Sequence, residues 1–232
     1  MKLQQYLQIT MDQENKNFKE QFYLILTGIF IASLVASNLI FQKFFTWNFL
    51  GIGFELSVGI IAYPVTFLVT DLISELYGQR RANQVVASGF FASVFTTVLV
   101  LISANANAVE WSPVDNVTFT KVFGLTGPAF FASMVAYLTA QLIDVRIFHF
   151  WKRFTKGKHL WLRNNASTMF SQLVDTSVIL IILCSAGVIE WERFYSLWMM
   201  GWLFKVLVAL VDTPIIYVVI HFLKGKIDIA KH

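Results

Sequence analysis

Two tetrapeptides repeat one chemical arrangement inside strongly apolar surroundings: Gln141-Leu-Ile-Asp144 and Gln172-Leu-Val-Asp175. A carboxylate can accept two adjacent N–H donors, and a glutamine amide one turn away both donates and accepts. Such a pair suits recognition of the hydrogen-bonding edge of a small polar ligand. Each belongs to a longer stripe. Ser133, Tyr137, Gln141 and Asp144 follow spacings of four, four and three; Asn165, Thr168, Gln172 and Asp175 follow three, four and three. Both patterns keep their members on one helix face. A third segment aligns Tyr63, Thr66 and Thr70, with Asp71 and Glu75 one turn apart, and a fourth sets Lys205 two turns from Asp212. Asn38 lies two-thirds along a further apolar run.

These residues need elements that hold them in an apolar medium. Of the 232 residues 56% are hydrophobic and 14% charged, against the usual quarter charged for a soluble domain. Mean hydropathy is +0.62. The chain is expected to be an all-α polytopic membrane protein with six transmembrane helices, over about 22–45, 54–77, 85–103, 127–150, 164–188 and 198–223. A polar tail (1–20) precedes the six-helix domain (21–223) and a short tail (224–232) follows it. The first twenty residues lack a short apolar core with a small-residue cleavage site, which argues against a cleaved signal peptide.

Six spans put both termini on one side. Thirteen Lys and Arg lie in the tails and the loops after spans two and four, against Lys43, Lys121 and Arg193 on the other side. The positive-inside rule then places both termini in the cytoplasm. The net charge of +4 reports this orientation and predicts no nucleic-acid partner.

An ionised group within hydrocarbon costs about 2.5–3.5 kcal/mol on insertion scales, so it is paired or functional where it occurs. For Asp71, Glu75, Arg80, Arg146 and Arg163 the plain alternative is ion pairing that pins helix ends. For Gln141, Gln172 and Asp175 it is interhelical hydrogen bonding, worth about 0.6–2 kcal/mol per contact. Pro64 and Pro214 are expected inside spans, freeing the carbonyls of Ile60 and Leu210. The single Cys184 rules out an intrachain disulfide. No Gly-x-x-x-x-Gly-Lys, His-Glu-x-x-His or Gly-x-Ser-x-Gly occurs. No catalytic residue, cofactor or metal site is therefore expected, and a nucleotide-driven pump within one chain is excluded. Secondary transport remains, as does a substrate-binding membrane subunit served by a separate motor. An intramembrane enzyme using Asp71, Glu75 and His149 is a more distant reading.

Six segments together resemble the queuosine precursor transporter family, six-helix inner-membrane proteins also described as vitamin uptake transporters. They are Tyr63-Pro64-x-Thr66-Phe67, Thr70-Asp71-Leu-Ile-Ser74-Glu75-Leu-Tyr77-Gly78, Ala140-Gln-x-x-Asp144-Val, Trp161-Leu-Arg163-Asn-Asn-x-Ser167, Ser171-Gln-x-x-Asp175-Thr176 and Asp212-Thr-Pro214-x-x-Tyr217. The resemblance implies uptake of 7-cyano-7-deazaguanine or 7-aminomethyl-7-deazaguanine for salvage into tRNA queuosine. It also implies a fold similar to the substrate-binding membrane subunits of energy-coupling-factor transporters, acting without the ATPase module. A vitamin-type subunit that needs that module is the alternative. The expected partners are the base and the lipid bilayer; homo-oligomerisation is left open.

The candidate binding residues are Asn38, Tyr63, Thr66, Asp71, Tyr137, Gln141, Asp144, Asn165, Gln172, Asp175 and Asp212. A guanine-like edge offers adjacent donors to Asp175 or Asp144, and its carbonyl accepts from Gln or Asn. Tyr63, Tyr137 or a phenylalanine would stack on the ring. Asp71, Glu75, Arg163 and Lys205 are coupling or gating candidates.

Overall fold

The computed structural model describes residues 2–49, 52–124 and 127–223 of the chain. Seven α-helices and one β-hairpin follow in the order α1 (Lys2–Ile40), β1 (Phe44–Phe49), β2 (Ile52–Ser57), α2 (Tyr63–Tyr77), α3 (Gln79–Ala104), α4 (Asn116–Phe123), α5 (Gly127–Phe154), α6 (Leu160–Ser185) and α7 (Phe194–Leu223). Among the described residues, six stretches are long and apolar enough to cross a membrane: Gln13–Ile40, Val58–Tyr77, Gln79–Ala104, Phe130–Phe154, Leu160–Ser185 and Trp191–Leu223. Each corresponds to an expected span.

Beside an apolar core, large apolar side chains face outward and polar ones are buried. Leu24, Phe91, Phe95, Ile102, Val211 and Phe222 are exposed, while Asp71, Gln141, Asp144, Arg163, Gln172 and Asp175 are buried. Lipid accepts the first set and cannot satisfy the second, so the polar stripes turn inward.

The chain departs from the expected all-α outline in one place that matters. The stretch expected to end span one and begin span two is an antiparallel hairpin, with Phe44 paired to Ser57 and Phe49 to Ile52. The sequence Phe-Phe-Thr-Trp-Asn-Phe is aromatic and β-branched, the composition of strands rather than helices. Gly51, expected at the turn, lies outside the described residues. A short 3-10 turn, Val58–Ile61, is capped by the Ser57 side chain and leads into α2.

That late start corrects the reading of Pro64. It sits in the first turn of α2, where a missing N–H costs no hydrogen bond, so it frees no carbonyl and marks no kink. Pro214 does lie within α7, as expected.

Helix α1 begins at Lys2, so the segment before the first span is helical, and residues 224–232 are outside the described set. The long polar connection before α5 contains α4, whose N-cap Asp115 accepts from the Thr118 N–H at 2.6 Å. Those bonds hold the Asp115 carboxyl below its ordinary range.

Candidate functional site

At the hairpin end of the bundle a cavity of about 250 Å³ opens between the end of α1, the hairpin, α6 and α7. Phe41, Phe44, Leu180 and Leu183 supply apolar walls, and Asn38, Ser133, Tyr63, Asp175 and Lys205 the polar face. Small-molecule pockets run from roughly 300 to 1,000 Å³, so this one suits a compact ligand.

Asp175 anchors the polar face. Its Oδ1 accepts from Tyr63 Oη at 2.9 Å, and its Oδ2 lies 2.5 Å from Lys205 Nζ. Lys205 also donates to Thr176 Oγ1 at 3.1 Å and stands 5.5 Å from the centre of the Tyr63 ring. Three helices thus meet through one carboxylate: α2 brings a phenol, α6 the acid and α7 the ammonium. Elsewhere in the lining, Ser133 donates to Asn38 Oδ1 at 2.9 Å. The Asn38 amide nitrogen is buried without an acceptor among the described residues. The cavity lining therefore combines a carboxylate with an amide whose nitrogen has no acceptor among the described residues, beside aromatic and aliphatic side chains.

The other expected site residues separate by depth. Gln141 is fully buried behind the cavity, accepting from Thr70 at 3.2 Å and donating to Thr66 at 3.1 Å. Both of its polar atoms are satisfied inside the protein, so it ties α5 to α2, and Thr66 serves the same contact. Tyr137 donates to the Val86 carbonyl at 2.6 Å and packs on Phe30. It ties α5 to α3 and presents no face to the cavity. Asn165 and Asn164 both donate to Thr213 Oγ1, at 2.7 and 3.1 Å, holding α6 to α7 at the basic-loop end. Gln172 and Asp212 line a narrow crevice behind Tyr63 and Lys205, shared with Thr168.

Asp71 and Asp144, expected in binding, form a buried pair of their own. Their hydroxyl partners stand one turn apart on α6, which brings the two carboxyls together. Thr168 donates to Asp71 Oδ2 at 3.2 Å and Ser171 to Asp144 Oδ1 at 2.8 Å.

Glu75 sits one turn further along α2 and is held from two sides. Arg163 approaches one oxygen to 2.6 Å and Lys152 the other to 3.2 Å. Arg163 also donates to the carbonyls of Gly157 and Lys158, at 2.9 and 3.1 Å. Those carbonyls turn inward because the basic loop bends through Gly157, whose φ of 76° is open to glycine. The triad closes the bundle at the end opposite the cavity.

Lys152 was not among the expected site residues. It sits in a basic run that reads as a solvated loop, yet its side chain is only 6% exposed. The Asn38–Ser133 contact was equally hidden, since it joins residues 95 positions apart.

Comparison with known proteins accords with these features. Residues 57–219 match the family described as "Putative vitamin uptake transporter". Three curated relatives have the same printed function. The "Probable queuosine precursor transporter" of Bacillus subtilis (strain 168) is 26% identical over 166 residues, 71% of this chain and 72% of the relative. The "Queuosine precursor transporter" of Escherichia coli (strain K12) is 25% identical over 202 residues, 85% of each chain. A "Probable queuosine precursor transporter" of Haemophilus influenzae is 25% identical over 217 residues, 88% of each. No solved structure gives a significant match. With six apolar spans and a family match over most of its length, the chain is a multi-pass bacterial membrane protein that belongs to the vitamin uptake transporter family.

Proposed function

We propose that the protein carries queuosine precursors, 7-cyano-7-deazaguanine, 7-aminomethyl-7-deazaguanine or both, across the bacterial inner membrane for salvage into tRNA queuosine. It acts as a secondary transporter, without an ATPase module. The relatives' names supply the substrate class. The observation that carries the site is Asp175 in the lining of a compact cavity whose lining also includes the unpartnered Asn38 amide.

A deazaguanine has a ring N–H and an exocyclic amine side by side, which one carboxylate accepts as a pair, and a carbonyl that an amide donates to. In this reading Asp175 takes the donor edge and Asn38 the carbonyl. Tyr63, Phe41 or Phe44 flanks the flat ring. Recognition falls to Asp175 rather than Asp144, because Asp144 is fully buried away from the cavity. Gln172 and Asp212, in the crevice behind, are reached as the base moves inward.

With both termini cytoplasmic, the cavity faces outward and the Glu75–Arg163–Lys152 triad seals the inner end. The membrane domain resembles the substrate-binding subunits of vitamin transporters in this reading.

The test is made in a strain that cannot synthesise the base and carries this protein as its only importer. Asp175→Asn is expected to abolish precursor-dependent queuosine in tRNA while leaving the protein in the membrane. Unchanged salvage by the variant sinks the assignment. Salvage that requires co-expression of an ATPase module favours the vitamin-type subunit.

A further inference from the structure

We infer that Asp71 and Asp144 hold one exchangeable proton between them, and that this proton is the ion coupled to transport. The coupling half of this inference rests on the transport reading above; the shared proton does not.

The geometry leaves the pair without a countercharge. Among the described residues, the cations inside the bundle are already engaged: Lys205 on Asp175, and Lys152 and Arg163 on Glu75. Asp71 and Asp144 are 2% and 0% exposed and come together from α2 and α5 against adjacent turns of α6. Helix α6 offers them only hydroxyls, one from Thr168 to Asp71 and one from Ser171 to Asp144. From α7 the ionisable side chain in the crevice beside Thr168, besides the engaged Lys205, is Asp212, also acidic. Along α2 the next ionisable group is Glu75, and along α5 it is Arg146, which is exposed, then His149 near the basic loop. Each aspartate keeps one oxygen, Oδ1 of Asp71 and Oδ2 of Asp144, with no donor among the described residues.

Two contacting carboxylates in a dry interior cannot both stay ionised without a cation, and one shared proton satisfies both free oxygens. The arrangement follows the rule that like acids in contact divide a single proton. Proton balance is simple: the pair takes one proton from the solvent on one side and returns it to the other, with no bond made or broken elsewhere.

The pair is placed to sense the cavity. Helix α2 carries both Tyr63 and Asp71, and α6 carries Thr168, Ser171 and Asp175 on one face. Thr168, the donor to Asp71, also lines the crevice behind Tyr63 and Lys205. A shift of α6 when Asp175 exchanges Lys205 for substrate moves both hydroxyl donors at the pair.

Infrared difference spectroscopy of the purified protein between neutral and alkaline pH tests the shared proton. A protonated-carboxyl stretch is expected at neutral pH in the wild type and in Glu190→Gln, and is lost in both Asp71→Asn and Asp144→Asn. Its absence from the wild type, or its persistence in either variant, overturns the inference. Asparagine keeps the shape and supplies an N–H in place of the proton, and the unfolding midpoint of each variant checks the fold. Proteoliposomes loaded with 7-cyano-7-deazaguanine test coupling. An acidic exterior is expected to accelerate uptake by the wild type, and a protonophore to remove that gain. Asp144→Asn is expected to keep exchange of the base and lose the response to the gradient. Gradient-independent uptake by the wild type overturns the coupling. If neither protein moves the base, the transport reading fails, the coupling falls with it, and the infrared result alone decides the shared proton.

Discussion

Lys205 Nζ lies 2.5 Å from Asp175 Oδ2, and the two side chains are 12% and 6% exposed. A buried ion pair is weak evidence of net stabilisation, but removing one partner strands the other charge, at a cost of about 3–5 kcal/mol. The pair also occupies the carboxylate proposed to receive the base. Substrate binding and the hold of α7 on α6 are therefore in competition at a single group.

Lys205→Ala is thus expected to lower stability by several kcal/mol, read as a reduced unfolding midpoint in detergent. Adding Asp175→Asn is expected to recover much of that loss, because no stranded charge remains. Both variants lose uptake. Equal midpoints for Lys205→Ala and the wild type would show the carboxylate already satisfied by Tyr63 alone.

Much of this was legible in the chain because membrane burial forces polar residues into helical register. The stripe through Asn165, Thr168, Gln172 and Asp175 needed only a period of 3.6. The spacing did not reveal which members face a ligand and which face another helix. Gln141 and Asp144 read alike in sequence, yet the first is satisfied by two threonines of α2 and the second meets an acid. The hairpin was hidden by its hydrophobicity, since Phe44, Phe45 and Trp47 continue the apolar run of α1 and a mean over that window does not distinguish strand from helix. The partners Lys205 of Asp175 and Lys152 of Glu75 depend on α7 and the end of α5 folding back onto their neighbours, which no local pattern encodes.

Asn38→Leu removes the unused donor of the cavity and fills its space with an apolar group. The affinity for 7-cyano-7-deazaguanine is expected to fall about tenfold, equivalent to about 1.4 kcal/mol. A binding titration reads it, with the unfolding midpoint as the control for the fold. Unchanged affinity would remove Asn38 from the site.

Glu75→Gln leaves Arg163 and Lys152 buried with no acid between them. A loss of about 3–5 kcal/mol is expected, since the cations outlast their partner in the interior. Arg163→Lys is not expected to be neutral, because lysine cannot span Glu75 and the two loop carbonyls together. Unfolding midpoints of both variants, beside accessibility of a cysteine placed at Lys158, separate lost stability from an opened inner end.

Gly89 on α3 faces Phe30, Leu34 and Tyr137, and a Cβ there would come within 2.5 Å of Phe30 Cε1 and 2.9 Å of Tyr137 Oη. Tyr137 cannot retreat without giving up the Val86 carbonyl, and Phe30 is fully buried. Gly89→Ala is therefore expected to destabilise the bundle by about 1–3 kcal/mol, the usual cost of overpacking. Gly28, on α1, has nothing within 4 Å of its Cβ position. The same change at Gly28 is expected to be neutral or to stabilise by up to about 1 kcal/mol, through reduced backbone entropy in a helix interior. Unfolding midpoints of the two single variants, measured side by side, discriminate a packing requirement at Gly89 from the general preference of helices for alanine.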